Sequence, residues 1–338
     1  MVLLYTLFAS ALSTQTAVDR GVEVVLDDFW GSLMDALADV TGIDVLGFPF
    51  MQRAYLAALC IALIGPLVGS FLVHREMAMI GDTLAHSAFA GVAAGLFVNA
   101  TFAVTVPPLL TALVVAAAAA LLVQTLVDYT GAYHDTSLAI VLTGSFAVGS
   151  VLVTATDGGI AVGINAYLFG SLATVTRVNA AILLVLSLVV GVCVSVAYRP
   201  LIYITFDEVG ARAAGISVTR YNQLLAVLTA VVVVAAMQIM GVILVAAMLV
   251  VPVAAATSVR GFKRSVAGAV CAGLFSTVTG VTVSYHYDVA AGGTIVLVAI
   301  AVYAAVTVGV RARHRLSVRR GTATTRTTTA PDGGSSDE

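Results

Sequence analysis

An all-α, polytopic membrane protein with about 8–9 transmembrane helices is what this sequence predicts, and three observations carry the prediction. The 338 residues are 60% hydrophobic and only 10% charged, with a mean hydropathy of +1.05, whereas a soluble domain carries roughly 25% charged residues. Apolar runs recur from Ala54 to Val310, and at about 20 residues each is long enough to cross a hydrocarbon core of about 30 Å. The few charges collect between those runs and at the two termini. A bilayer offers the backbone no hydrogen-bonding partner, so runs of this kind must satisfy themselves as helices. The net charge of −2 describes loops and tails and gives no reason to expect a nucleic-acid partner. Cys60, Cys193 and Cys271 lie inside apolar runs without a second Cys or His at ligand spacing, so they read as small apolar side chains.

In chain order, residues 1–48 form an acidic, partly amphipathic extension. Asp19, Glu23, Asp27, Asp28, Asp35, Asp39 and Asp44 face a single Arg20 there, while Val22, Val25, Leu26, Phe29, Leu33, Leu37 and Val40 recur at helical spacing. The first 18 residues lack a basic start and support neither a signal peptide nor a span. Spans follow near 54–73, 80–98, 107–127, 136–155, 178–198, 222–240, 241–258, 264–284 and 290–310, making 49–310 the transmembrane domain. The run 222–258 is too long for one crossing, and Gln238 to Gly241 is the place for a break. Residues 166–176 are too short to cross and predict a short or re-entrant helix. The tail 311–338 is basic next to the membrane and then, from 321, rich in Thr, Gly, Ser and Asp, a composition that predicts disorder.

Orientation follows from the basic residues. With the 74–79 connection inside, alternation puts 13 of the 16 basic residues inside and leaves only Arg20, Arg53 and Arg177 outside, as the positive-inside rule requires. The N-terminus is then outside and the C-terminus cytoplasmic.

Two stretches carry chemistry. In Met77-Ala78-Met79-Ile80-Gly81-Asp82-Thr83-Leu84-Ala85-His86-Ser87 an acid and an imidazole stand four residues apart, on one face of a helix, with Gly81, Ser87, Gly91 and Gly95 small enough for a neighbouring helix to come close. Asp82 is the only acid and His86 the only His within the proposed spans. A charge there costs at least about 2.5–3.5 kcal/mol, and such residues usually line a pathway. A purely structural pair is the bland alternative. Carboxylate plus imidazole suits Zn²⁺, Mn²⁺ or Fe²⁺, and equally a proton relay. Two ligands leave a metal site half built, and a two-fold dimer would supply four. The second stretch, Phe206-Asp207-Glu208-Val209-Gly210-Ala211-Arg212-Ala213-Ala214-Gly215, has the acidic start, Ala-rich middle and glycine end of one short loop helix. Lys263 is the only lysine, so no G-x-x-x-x-G-K-[ST] phosphate loop exists, and any ATP must be bound by another chain.

With Pro49-Phe50-Met51-Gln52-Arg53, the Ile80-Gly81-Asp82-x-x-x-His86-Ser87 motif, Asp207 to Gly215, and Gly241-x-x-Leu244-Val245-x-x-Met248 leading to Pro252, most of 49–310 resembles the ABC-3 permeases of zinc, manganese and iron uptake systems. The resemblance implies a type II importer-like permease in the plasma membrane, acting as a homodimer with separate ATPase subunits that hold ATP and an extracellular metal-binding lipoprotein. It implies that Asp82 and His86 contact the ion, zinc being preferred and manganese or iron also fitting. By the same resemblance Asp207, Glu208, Ala211 and Gly215 belong to the coupling helix that receives the ATPase movement. Val209 stands where the family usually carries an acid, and Glu208 supplies one a place earlier. No catalytic residue and no bound cofactor are expected, and the chain is not an enzyme. The rival from another class is a proton-coupled secondary transporter with Asp82 and His86 as the relay; no internal repeat supports it.

Overall fold

The computed structural model describes residues 29–42, 44–102, 105–130, 134–155, 159–172 and 175–326. The first 28 residues, and with them the start of the expected amphipathic segment, lie outside the described residues. What is described begins with a short helix, α1 (Ser32–Thr41), and a 3-10 turn at Asp44–Gly47. The bundle then runs through α2 (Pro49–His74), α3 (Met79–Phe102), α4 (Pro108–Thr130), α5 (His134–Thr154), α6 (Gly159–Phe169) and α7 (Arg177–Phe206). It closes with α8 (Glu208–Ala213), α9 (Val218–Met240), α10 (Val245–Ala256), α11 (Phe262–Tyr287) and α12 (Ala291–Arg326). Among the described residues eight helices, α2 to α5, α7, α9, α11 and α12, are long and apolar enough to cross a membrane.

Apolarity all around a helix is compatible with burial and with lipid contact alike, and the packing sorts the helices between the two. α9 is the innermost, with 78% of its apolar window buried, and α12 the outermost, with 17%. α3 is enclosed by α4, α5, α9 and α10. Its small residues permit this, as expected: Gly91 rests directly on the backbone of Thr111 and Ala112 in α4, and Ser87 Oγ lies 3.0 Å from Ser145 Oγ in α5.

Ring contacts identify the two ends of the bundle. At one, His74, Phe206 and Phe262 converge (His74 to Phe262 5.3 Å, Phe206 to Phe262 5.8 Å), and Arg75 Nη2 donates to Asn222 Oδ1 at 2.7 Å. The ends of α2 and α7 and the starts of α9 and α11 therefore meet there, bringing Arg75, Arg212, Arg220, Arg260, Lys263 and Arg264 to one side. At the other end Phe50 meets Tyr285 at 6.1 Å, which joins the start of α2 to the end of α11 and leaves Arg53 on that side.

Four expectations are revised. The segment 241–258 is not a spanning helix: α10 has only 12 residues, because Gly241 to Leu244 form a turn first. The short helix expected at 166–176 lies earlier, at 159–169, and ends at Gly170. The connection expected from 199 to 221 is largely helical, since α7 continues through Pro200 to Phe206 before α8 begins. In the tail, α12 continues to Arg326, past the point where disorder was expected.

The break after α9 falls where the sequence placed it, and its backbone is satisfied by another broken helix. Val242 N–H donates to the Tyr167 carbonyl at 2.9 Å and Ile243 N–H to that of Leu168 at 3.4 Å, while Ser171 N–H donates to the Gln238 carbonyl at 3.2 Å. Each helix end thus caps carbonyls that the other leaves orphaned, which allows non-helical backbone at membrane depth. Gly170 and Gly241 sit at this crossing, both with φ +76. A Cβ on either would overlap backbone of the other strand, the Ile239 carbonyl in one case and the Leu168 carbonyl in the other. From the crossing the chain turns back: Met240 abuts Gly292 at the start of α12, whereas Ser265 Oγ donates to the Ala256 carbonyl at 3.0 Å beside the basic end. Residues 241–256 therefore traverse the bundle as turn plus short helix, and the alternation of ends expected from nine crossings is preserved.

Candidate functional site

Asp82 falls in the first turn of α3 and His86 one turn later. From Ile80 to Ala93 every residue of α3 is buried except these two. The acid and the imidazole are thus the one opening in an otherwise enclosed stretch of helix. Their side chains are 39% and 21% exposed, so within one chain the pair faces outward. His86 Nε2 lies 3.9 Å from Asp82 Oδ1, too far for a hydrogen bond, and His86 Nδ1 is buried without a partner. A structural pair would be expected to close this gap.

The separation suits a shared ion. Two donors held by one tetrahedral ion at about 2.1 Å each stand about 3.4 Å apart, so a small rotation of either side chain brings both into reach. Among the described residues no third His, Cys, Asp or Glu joins them. One chain therefore offers two donors, short of the four that a closed tetrahedral site uses.

Beside the pair lies a cavity of about 400 Å³ lined by His86, Phe89, Phe146, Ile164, Leu168 and Val242 among others. Phe146 of α5 stands edge-on to the imidazole at 5.2 Å. The crossing of α6 with the 241–244 turn forms the far wall, so the broken helices and the imidazole border the same space.

The second site residues lie at the basic end. Asp207 caps α8, its Oδ1 accepting from Gly210 N–H at 2.8 Å, and Gly215 leaves the helix at φ +81. Ala211 is fully buried against Ile204 and Val218, which fixes α8 to the ends of α7 and α9. Glu208 accepts from Arg212 Nη2 at 2.7 Å, and Val209 and Phe206 point outward, 80% and 63% exposed. Asp207, Glu208, Ala211 and Gly215 thus form the compact loop helix that the sequence predicts.

Arg75 is the residue that sequence reasoning missed. It leads from α2 towards Asp82, yet its side chain is only 7% exposed. Nη2 holds Asn222, Glu208 Oε2 approaches at 3.9 Å, and Nη1 is buried without a partner. Burial draws the guanidinium down from its ordinary value and Glu208 pushes it back up; an arginine remains charged throughout. The loop helix is in this way linked through Glu208 and Arg75 to the connection that carries α3. Only the adjacent charges Arg75 and Glu76 ahead of the Asp82 motif could have marked it, and a loop arginine ordinarily reads as solvated.

Comparison with known proteins adds the family. Residues 47–309 match the family described as ABC 3 transport family. The manganese transport system membrane protein MntC of Halalkalibacterium halodurans is 33% identical over 263 residues, covering 77% of this chain and 87% of that protein. The manganese import system permease protein ScaB of Streptococcus gordonii is 28% identical over 251 residues, covering 74% and 87%. Among solved structures, PsaBC from Streptococcus pneumoniae in complex with Fab superimposes with a TM-score of 0.69 at 27% identity, covering 78% of this chain and 92% of that one. A match that spans the whole bundle, from the start of α2 to the apolar end of α12, makes this multi-pass chain a member of the ABC 3 transport family, a membrane permease and not an enzyme.

Proposed function

We propose that this chain is the membrane subunit of an ATP-driven importer for a divalent first-row transition metal, and that two copies pair so that Asp82 and His86 of each face one path. The observation that carries the reading is the opening of α3: in a helix buried from Ile80 to Ala93, only a carboxylate and an imidazole reach the surface. An incomplete donor set on an outward face is what a two-fold axis would complete. The relatives named for manganese favour that ion over zinc, and both suit carboxylate and imidazole donors. The single lysine supports ATP binding on a partner, and α8 is the surface on which that ATPase docks. An extracellular metal-binding lipoprotein delivers the ion at the end where Phe50 and Tyr285 meet. The proton-relay alternative gains nothing from the structure, since the two groups are not hydrogen-bonded to one another.

The test is uptake of manganese by the chain reconstituted with its ATPase, with zinc and iron as competitors. Reversing charge in Asp207→Arg with Glu208→Arg removes the α8 cap and the Arg212 and Arg75 partners. The expected result is normal expression with ATP hydrolysis no longer stimulating uptake. Undiminished uptake by that double variant would overturn the docking assignment.

The same reading places the basic end in the cytoplasm, N-terminus outside and C-terminus inside. Thr219 is exposed beside α8. In a background without native cysteines, Thr219→Cys should resist a membrane-impermeant thiol reagent in intact cells and react after permeabilisation. Ready labelling in intact cells would invert the topology.

A further inference from the structure

Helix α1 lies outside the bundle and has no part in the transport reading. Residues 29–31 form a helical lead into it, and at about 100° per residue the positions from 29 to 41 fall into three sectors. Gly31 and Met34 are buried against the protein and Ala38 is half-buried beside them. On an adjoining sector, spanning roughly 80°, Phe29, Leu33, Leu37 and Val40 are 69%, 45%, 42% and 85% exposed. Asp35 and Asp39 occupy the remaining sector. The helix therefore has more apolar surface than the protein covers, and that surface is a continuous stripe with the acids on the other flank.

The height of this stripe is fixed by hydrogen bonds. Trp30 Nε1 donates to the Gln52 carbonyl at 2.7 Å, and Gln52 Nε2 donates to Asp35 Oδ1 at 2.7 Å. Gln52 is in the first turn of α2, where the chain passes into its apolar span. At the same level Phe48, Phe50, Tyr285 and Tyr287 are exposed, with Phe48 on Phe50 at 6.0 Å and Phe50 on Tyr285 at 6.1 Å. A cluster of exposed aromatic residues at the end of spanning helices marks the boundary between bilayer and water. A helix at that boundary with protein on one flank, an apolar stripe on the next and acids beyond has the sectors of one lying in the membrane plane.

We propose that the Phe29, Leu33, Leu37 and Val40 face of α1 rests in the bilayer itself, at the junction of headgroups and acyl chains on the side opposite the basic loops. Phe48 and Phe50, exposed at the start of the apolar span to which α1 is tied through Gln52, add aromatic surface there, which favours lipid over a soluble partner. Residues 29–48 carry three acids and no Lys or Arg, so the seat fits neutral headgroups. In this position α1, tied to Gln52, holds the start of α2 at a fixed depth.

The experiment uses the full chain in nanodiscs of neutral lipid, with Cys60, Cys193 and Cys271 replaced and a nitroxide placed singly at positions 33, 37, 40 or 39. Labels at 33, 37 and 40 should show a several-fold higher ratio of oxygen to water-soluble nickel-chelate accessibility than the label at 39. Trp30 is the only tryptophan, and lipid brominated near the headgroup should quench its fluorescence in the unlabelled protein. Nickel access at 33, 37 and 40 equal to that at 39, or no quenching of Trp30, would overturn the proposal. Shielding of the three positions from both reagents would overturn it as well, by showing a protein surface over the stripe.

Discussion

Asp82→Asn and His86→Gln are expected to leave the chain folded, inserted and bound to the proposed ATPase while reducing metal uptake by more than the roughly 10–100-fold typical of changes to residues that only hydrogen-bond a ligand. Both changes keep the shape and a hydrogen-bonding end. Neither breaks a hydrogen bond between the two groups, because 3.9 Å separates them, and both side chains are partly exposed. Removing a donor that binds the ion directly leaves its hydration shell less fully replaced. Three readings separate on one panel of measurements. Lost uptake with intact assembly supports the ligand role, and a destabilised chain supports a structural pair. Uptake driven by a proton gradient without ATP supports the relay. Wild-type uptake by both well-folded variants would sink the metal path through this pair. Metal ligation needs both donors deprotonated, so occupancy of the wild-type site should also fall as the pH is lowered.

The largest effect on folding is expected at the crossing of the two broken helices. Gly170→Val and Gly241→Val each set a side chain into the opposite backbone, at a φ of +76 that β-branched residues scarcely adopt. The neighbour on each side is a backbone carbonyl, which cannot swing away as a flexible side chain would. Each substitution should destabilise by about 4 kcal/mol or more, the range reserved for overpacked or strained sites. In practice that means little folded protein, read as loss of the monodisperse peak in fluorescence-detected size exclusion. Gly215→Ala is the control. It has a φ of +81 but open space around the new Cβ, so about 1–2 kcal/mol is expected. Equal behaviour of the three variants would remove the steric account of the crossing.

Much of this was legible because bilayer constraints are simple. Runs of twenty apolar residues gave six of the eight long helices within a few residues; α12 continues past its apolar run to Arg326, and α7 continues to Phe206, because Pro200 lacks an N–H but the helix continues around it. The break near Gly241 was legible as a run too long for one crossing, and α8 as an acidic cap followed by a glycine. What α10 would become was not legible: the run 241–258 is apolar throughout, and only the pairing of Val242 and Ile243 with Tyr167 and Leu168 removes its first residues from the helix. That pairing joins residues more than seventy apart in sequence, which no local pattern contains. For the site, spacing put Asp82 and His86 on one face, but whether that face turns in or out depends on the neighbours of α3. Arg75 was missed for the opposite reason, since its burial comes from Asn222 and the loop helix meeting around it.

The crossing has one more consequence, and it concerns electrostatics. α6 and α9 both present their carbonyl ends there, and aligned peptide dipoles leave about half a negative charge at such an end. Hydrogen bonds from Val242, Ile243 and Ser171 tie some of these carbonyls, but the dipoles behind them remain. Leu168 and Val242 border the same cavity as His86. On the proposed reading, a cation beside the imidazole meets a negative potential that has no proton to gain, in contrast to the two donors proposed to ligate it. Acid should therefore loosen the grip of Asp82 and His86 on the ion while leaving the attraction that draws it towards them intact.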